Sequence, residues 1–103
     1  MKFYDLESKE CSQKEWFIVH DSMKRFITQG RVKNLYVSTV FLGIEHSLGA
    51  GKLNIFETMV FDDLGSEIKF FRYDTIEEAR KGHEKVVEDI REGVEELPYL
   101  RIF

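Results

Sequence analysis

Three consecutive strand patterns in the middle of the chain constrain its fold more than any other feature. They run from Leu35 to His46, from Leu53 to Asp62 and from Glu67 to Tyr73, and all three are rich in β-branched and aromatic residues. Their connectors, residues 47–52 and 63–66, are too short for the crossover that joins parallel strands. The sequence therefore predicts an antiparallel β-meander.

Two helices are predicted to flank this meander. Ser12 with Glu15, and Thr75 with Glu78, have the spacing of a capping box, in which each side chain bonds the backbone of the other residue. Apolar residues at helical spacing follow each box, so we expect helices over about 13–29 and about 75–95. Gly30 stands where a left-handed C-terminal cap would end the first helix.

The order of elements predicts one α+β domain covering residues 1–103, because no linker or repeat divides the chain. Phe3 and Tyr4 add a short first strand, which gives the order β-α-β-β-β-α. The expected fold is a three- to four-stranded antiparallel meander packed with two helices. The segment from Tyr99 to Phe103 is expected to form a terminal strand or an arm that packs on another subunit.

Composition excludes several classes of protein. Cys11 is the only cysteine, which rules out an internal disulfide and is typical of a reducing compartment. No apolar run approaches membrane-spanning length and the first residues lack an apolar signal region, so we expect a cytoplasmic protein without a membrane partner. Residues 1–52 carry 8 basic and 6 acidic side chains (+2) and residues 53–103 carry 7 and 13 (−6), which argues against nucleic-acid binding.

The predicted sheet is apolar on both of its faces. Its first face contains Glu57 and Arg72 among apolar side chains, and we expect the helices to cover this face. The second face is too apolar for open water, which predicts a homodimer or a protein-binding interface. The interface residues are expected to be Val37, Phe41, Phe56, Val60, Phe71 and Tyr73.

Glu57 and Arg72 form the first candidate site. If Phe61 pairs with Ile68 in the second hairpin, Arg72 lies directly opposite Glu57, and a guanidinium fork can satisfy a buried carboxylate. A cross-strand ion pair that fixes the register is one interpretation. The other is that Arg72 binds an anionic ligand while Glu57 holds the arginine in place. In the first hairpin we expect His46 to pair with Leu53.

His46 and His83 are the other candidate ligand-binding residues. His46 ends a predicted strand, and His83 lies on the inner face of the second helix beside Gly82, whose missing side chain permits close packing. No spacing in the sequence brings the two histidines together, so we predict neither a metal site nor a cofactor. The residues Gly49–Lys52 lack the spacing of a phosphate loop and are interpreted as a hairpin turn.

The chain from Trp16 to about Val87 resembles a family of small proteins encoded by bacteriophages and prophages. The resemblance lies in Glu15-Trp16, Val37–His46 (VSTVFLGIEH), Phe56–Phe61 (FETMVF), Arg72–Thr75 (RYDT), Glu78-Ala79 and Gly82-His83. It implies a viral or prophage origin and residence in the host cytoplasm, and it implies no catalytic residues. Relatives tend to carry prolines in the loop before the phenylalanine, where this chain has Gly49–Asn54.

Three functions follow from these observations. The first is a non-catalytic accessory protein that binds a protein partner or itself through the apolar sheet face. The alternative is a domain that binds a small molecule or anion around Arg72, Glu57, His46 and His83. The third is a small enzyme that uses Glu57 and a histidine as acid and base.

Overall fold

The centre of the molecule is a four-stranded antiparallel sheet, described by a computed structural model over residues 1–45 and 51–93. The elements in chain order are β1 (Phe3–Tyr4), β2 (Glu10–Cys11), α1 (Gln13–His20), β3 (Phe26–Val32), β4 (Leu35–Phe41), β5 (Phe56–Phe61), β6 (Glu67–Tyr73) and α2 (Ile76–Arg91). The main sheet has the order β3-β4-β5-β6, and β1 pairs with β2 in a separate small sheet. This is the predicted α+β fold with an antiparallel meander.

Helix α2 forms as its sequence predicts. Thr75 caps its first turn and Glu78 completes the capping box, and the side chains of Ala79, His83 and Val86 are buried along one stripe. Gly82 lets the helix approach β6 closely, because a Cβ at this position would collide with the Tyr73 ring. The predicted segment from Tyr99 to Phe103 lies outside the described residues. No helix in the described part of the chain has the length and apolar character needed to cross a membrane.

The prediction of one long first helix over 13–29 is wrong. The capping box of Ser12 and Glu15 is present, but α1 ends at His20, and a short 3-10 helix over Met23–Arg25 follows. Ser22 accepts a hydrogen bond from the backbone of Lys24 and so begins a new turn instead of extending α1. The apolar residues that follow belong to a strand.

Residues 26–32 form β3, which pairs with β4 in a tight hairpin. The two-residue connection contains Lys33 with φ of 55°, a left-handed conformation that reverses the chain. Gly30, predicted to cap a helix, lies in the middle of β3 opposite Val37. The meander therefore gains a fourth strand, which becomes an edge of the described sheet.

The register of the second hairpin agrees with the prediction at the two charged residues. Glu57 lies opposite Arg72, although a bulge shifts the pairing at Phe61. In the first hairpin Val40 lies opposite Glu57, whereas pairing His46 with Leu53 would have placed Val40 opposite Met59. This two-residue shift leaves every side chain on its predicted face, since strands alternate with a period of two.

The prediction of which face the helices cover is wrong. Helix α2 packs on the second face, the one predicted to form an interface, and buries it within the chain. Val37, Phe56 and Val60 have no exposed surface and Phe41 is buried, while Phe71 and Tyr73 are half-buried beside this core. These residues are therefore not a free interface in the single chain.

The charges explain why the helix covers this face. A helix on the first face would have sealed Glu57 and Arg72 from water, which is costly even for a paired carboxylate. The second face has instead two threonines at its centre, Thr39 and Thr58, whose hydroxyl groups bond each other. When the helix buries that face, these two hydroxyl groups still have hydrogen-bond partners.

The elements at the N-terminal end of the chain close one end of the core. Trp16 of α1 donates a hydrogen bond from Nε1 to the carbonyl oxygen of Leu42 at 2.9 Å, and its ring packs against Phe3 at a tilt of 43°. Phe3 bridges to Ile44, so the chain after β4 also pairs with β1, whereas the predicted pairing of His46 with Leu53 lies outside the described residues. Tyr4 is buried beside Phe41 in the same cluster.

Candidate functional sites

The face of the main sheet opposite α2 has no helix over it in the described part of the chain. We call it the open face. Its exposed or half-buried apolar side chains come from all four strands and are Phe26, Tyr36, Val40, Met59, Phe61 and Phe70. Phe26 and Phe70, on the two edge strands, are 38% and 45% exposed. An apolar surface that spans a whole sheet is typical of an interaction site.

Arginine side chains cover part of these aromatic rings. The guanidinium carbon of Arg25 lies 4.7 Å from the centre of the Phe26 ring, and that of Arg72 lies 4.9 Å from the centre of Phe70. Such cation–π contacts hold long side chains flat against the sheet. On the same face, Tyr36 donates a hydrogen bond to Oε1 of Gln29 at 3.0 Å. The open face is therefore an ordered layer of aromatic and arginine side chains.

The predicted pair of Glu57 and Arg72 lies on this open face. Nε of Arg72 donates to Oε2 of Glu57 at 3.0 Å, and the side chains are 34% and 10% exposed. The contact is a single hydrogen bond, so the expected two-pronged fork is not formed. Since it joins β5 to β6 at the predicted register, the pair fixes the alignment of these strands.

His83 occupies the other side of the sheet. It is 6% exposed, and its Nδ1 lies 2.8 Å from Oγ1 of Thr39, which in turn lies 2.5 Å from Oγ1 of Thr58. Burial lowers the pKa of the His83 imidazole, and the nearby Glu84 opposes this effect in part. His83 is therefore a neutral, buried histidine at the end of a hydrogen-bonded chain of two threonines.

The four predicted ligand-binding residues do not form one site. Glu57 is opposite Val40 on the open face, whereas its neighbour Thr58 faces the core with His83, so the sheet itself separates Glu57 and Arg72 from His83. His46 lies outside the described residues. The acid–base pair required by the enzyme hypothesis is therefore not formed between Glu57 and His83.

Two cavities adjoin these residues. The larger, of about 430 Å³, lies between β3 and α2 and has His83 in its wall. The smaller, of about 140 Å³, lies beside Arg72 and is walled by two cations and two anions, together with Asn54 and Tyr73. The described residues contain no group of three or more side chains able to hold a metal ion.

Sequence reasoning missed Thr39, Thr58 and Gly30 as parts of a site. Strand alternation puts the two threonines on the same face as Val37 and Phe41, and a pair of hydroxyl groups facing a helix with one inward histidine is a signal that sequence can supply. Gly30 was predicted to be a helix cap. Its role in the site can be recognised only once residues 26–32 are known to form a strand.

Comparison with known proteins identifies no relative. No protein-family model, no curated protein and no solved structure matches the chain. The functional proposals below therefore depend on the geometry of the described residues and on the motifs in the sequence.

Proposed function

We propose that this chain is a non-catalytic binding protein that associates with a second copy of itself through the open face. We further propose that it is a bacteriophage or prophage accessory protein of the host cytoplasm, on the strength of the motifs around Val37–His46 and Phe56–Phe61. The observation that carries the binding proposal is the continuous apolar layer on the side of the sheet that α2 leaves uncovered.

The dimensions of the open face suit a reversible dimer. Four strands spaced about 4.8 Å apart, with a rise of about 3.3 Å per residue, give a flat footprint of roughly 400 Å². With protruding side chains, two such faces would bury on the order of 1,000 Å² in total, which is near the lower limit for a specific interface. The proposal therefore implies a dimer whose population depends on concentration.

The charges on the open face are compatible with an identical partner. Glu57 already has its counter-ion in Arg72, so two copies can meet without burying an unpaired carboxylate. Arg31 lies on the edge strand β3 and Arg25 directly precedes it, so both are at the margin, where a polar rim surrounds the apolar centre of a typical interface. Two antiparallel sheets pack well face to face when their side chains interdigitate.

Sedimentation equilibrium tests this proposal over a range of concentrations up to about 1 mM, because a footprint of this size supports affinities of that order or better. We expect the apparent mass to rise from 12.2 kDa toward twice that value. Phe70→Glu places a charge on the open face and should hold the mass at that of the monomer.

Leu64→Glu is the matched control, because Leu64 is 87% exposed and lies in the turn between β5 and β6. It replaces a more exposed apolar side chain without touching the open face, so its association should equal that of the wild type. A wild-type chain that stays monomeric at the highest concentration contradicts the proposal, and so does equal weakening by both substitutions.

A further inference from the structure

The cleft between β3 and α2 is the other place where the described structure offers room for a partner. Its walls come from the edge strand on one side, including Gln29, Gly30 and Val32, and from the helix on the other, including His83 and Val87. Its volume of about 430 Å³ lies within the range of protein ligand sites. It lies at the β3 edge of the sheet, on the side that α2 covers.

Gly30 keeps this cleft open. Gly30 lies opposite Val37, which faces α2, so a side chain at position 30 would project toward the helix. A Cβ there would have no neighbouring atom within 4 Å, and the backbone φ is not in the left-handed region. The space beside Gly30 is thus large enough for a side chain that the chain itself does not supply.

The buried hydroxyl groups determine which nitrogen of His83 carries the proton. Thr58 has no exposed surface, and Thr39 is its only side-chain hydrogen-bond partner in the described part of the molecule. Because a buried hydroxyl proton needs an acceptor, we assign the Thr58 hydroxyl as the donor to Thr39 and the Thr39 hydroxyl as the donor to Nδ1 of His83. With Nδ1 as an acceptor, the neutral imidazole carries its proton on Nε2.

This Nε2–H group is available to a ligand. The only fully buried side-chain polar atom without a partner among the described residues is Oδ2 of Asp89. Nε2 of His83, which has no hydrogen-bond partner there either, is consequently not fully buried, and His83 lines the cleft. An unpartnered donor in the wall of a cleft favours a ligand that carries an acceptor oxygen.

The backbone of β3 provides the second element of recognition. β3 is an edge of the described main sheet, so one side of its backbone has no partner strand there. Such an edge is a template for an extended peptide, whose main chain continues the sheet while alternate side chains enter pockets. A residue added opposite Gly30 would direct its side chain into the cleft.

We propose that the cleft binds an extended peptide that pairs with β3 and places one side chain bearing a carbonyl or carboxylate oxygen over Gly30, against Nε2 of His83. The charges around the cleft, Arg31 and Arg91 against Glu84 and Glu88, balance one another. Recognition therefore depends on the acceptor oxygen more than on net charge.

A direct test uses the ¹⁵N-labelled full chain and the blocked peptide Lys-Thr-Val-Xaa-Val-Thr-Lys, with Asp, Asn, Leu or Lys at the central position. Titration should shift the backbone amide signals of residues 26–32 and the imidazole signal of His83. The Asp and Asn peptides should bind about tenfold more tightly than the Leu and Lys peptides, since an unmet donor in the wall is costly.

Gly30→Val fills the cleft with a residue that favours strands, so the chain should stay folded and lose peptide binding at least tenfold. Gly30→Ala, a smaller change, should weaken binding to a lesser degree. Phe70→Glu should leave peptide binding unchanged, which separates this test from that of self-association. Signal shifts that persist in Gly30→Val, equal binding by the Leu peptide, or no shifts up to about 1 mM peptide would overturn the proposal.

Discussion

The two faces of the main sheet carry similar numbers of apolar side chains, yet only one of them forms the core. On the covered face, Val37, Phe56 and Val60 have no exposed surface beneath α2, whereas Phe70 on the open face remains 45% exposed. The faces differ in their polar residues. The covered face has hydroxyl groups that satisfy one another and a histidine, while the open face has an ion pair that keeps access to water.

This comparison teaches that polar side chains can decide which apolar face a helix covers. Two threonines and a neutral histidine form a chain that survives burial, because both hydroxyl groups and Nδ1 of the histidine have hydrogen-bond partners. Glu57 and Arg72 keep their charges and are more stable where the arginine contacts solvent. The four predictions below test this difference, beginning with the largest expected effect.

The same truncation should have very different effects on the two faces. Phe41→Ala, at a side chain that is 1% exposed, should lower the free energy of unfolding by about 3–5 kcal/mol. Phe70→Ala on the open face should lower it by less than about 1 kcal/mol when the chain is monomeric. Urea denaturation at low protein concentration measures both. Equal losses would mean that the two faces are equally buried.

Breaking the buried hydroxyl chain should have an intermediate effect. Thr39→Val removes the partner of both His83 and Thr58 and should lower the free energy of unfolding by about 1–3 kcal/mol. Ser38→Ala is the control, since Ser38 is the preceding residue on β4 and points to the open face. Thermal unfolding followed by circular dichroism compares them. The interpretation of His83 as a hydrogen-bonded core residue is wrong if Thr39→Val is as stable as Ser38→Ala.

The pH dependence of stability should show a smaller effect from His83. Burial lowers the pKa of its imidazole in the folded chain, whereas an unfolded histidine has a pKa of about 6.5. Above that pH both states are neutral at this residue. As the pH falls below it, the unfolded state binds the proton first, so stability decreases until the folded-state pKa is passed.

Melting temperatures at about pH 7.5 and about pH 5.5 compare the stability above and below the ordinary histidine pKa. The wild type should lose more stability over the interval than His83→Gln, which has no titrating group at the position and can still contact Thr39. Parallel losses in the two proteins would show that His83 is not responsible.

The smallest effect is expected at the ion pair of the open face. Glu57→Gln keeps a hydrogen-bond acceptor for Nε of Arg72 and removes only the charge. Because the Arg72 side chain is 34% exposed and solvent screens the pair, the loss in free energy of unfolding should be about 1 kcal/mol or less. Chemical denaturation at low and high salt measures it. A loss above about 3 kcal/mol would indicate a truly buried pair.

The sequence predicted the meander, α2, both capping boxes and the pairing of Glu57 with Arg72, because strand alternation and capping are local properties. It did not predict β3, since Phe26 and Ile27 also fit the helical spacing that begins at Trp16. Helix α1 ends after His20 because a new turn begins at Ser22. The sequence signal for this turn is weaker than the helical spacing of the apolar residues around it.

The site was harder to predict than the fold. Both faces of the meander are apolar, and counting apolar residues cannot tell which one a helix will cover. Placing the charges first would have favoured the correct side, because a helix over Glu57 and Arg72 would have sealed them from water. The cleft beside Gly30 could not be inferred at all before β3 was known to be a strand next to α2.

The central claim, that the open face binds a second copy of the chain, is tested most directly by isotope-filtered NMR. A mixture of ¹³C-labelled and unlabelled chains reports only contacts between different molecules. We predict intermolecular contacts from the methyl groups of Val40 and Met59 to the rings of Tyr36, Phe61 and Phe70. Intermolecular contacts confined to α2 or Leu64, or none at concentrations up to about 1 mM, would contradict the claim.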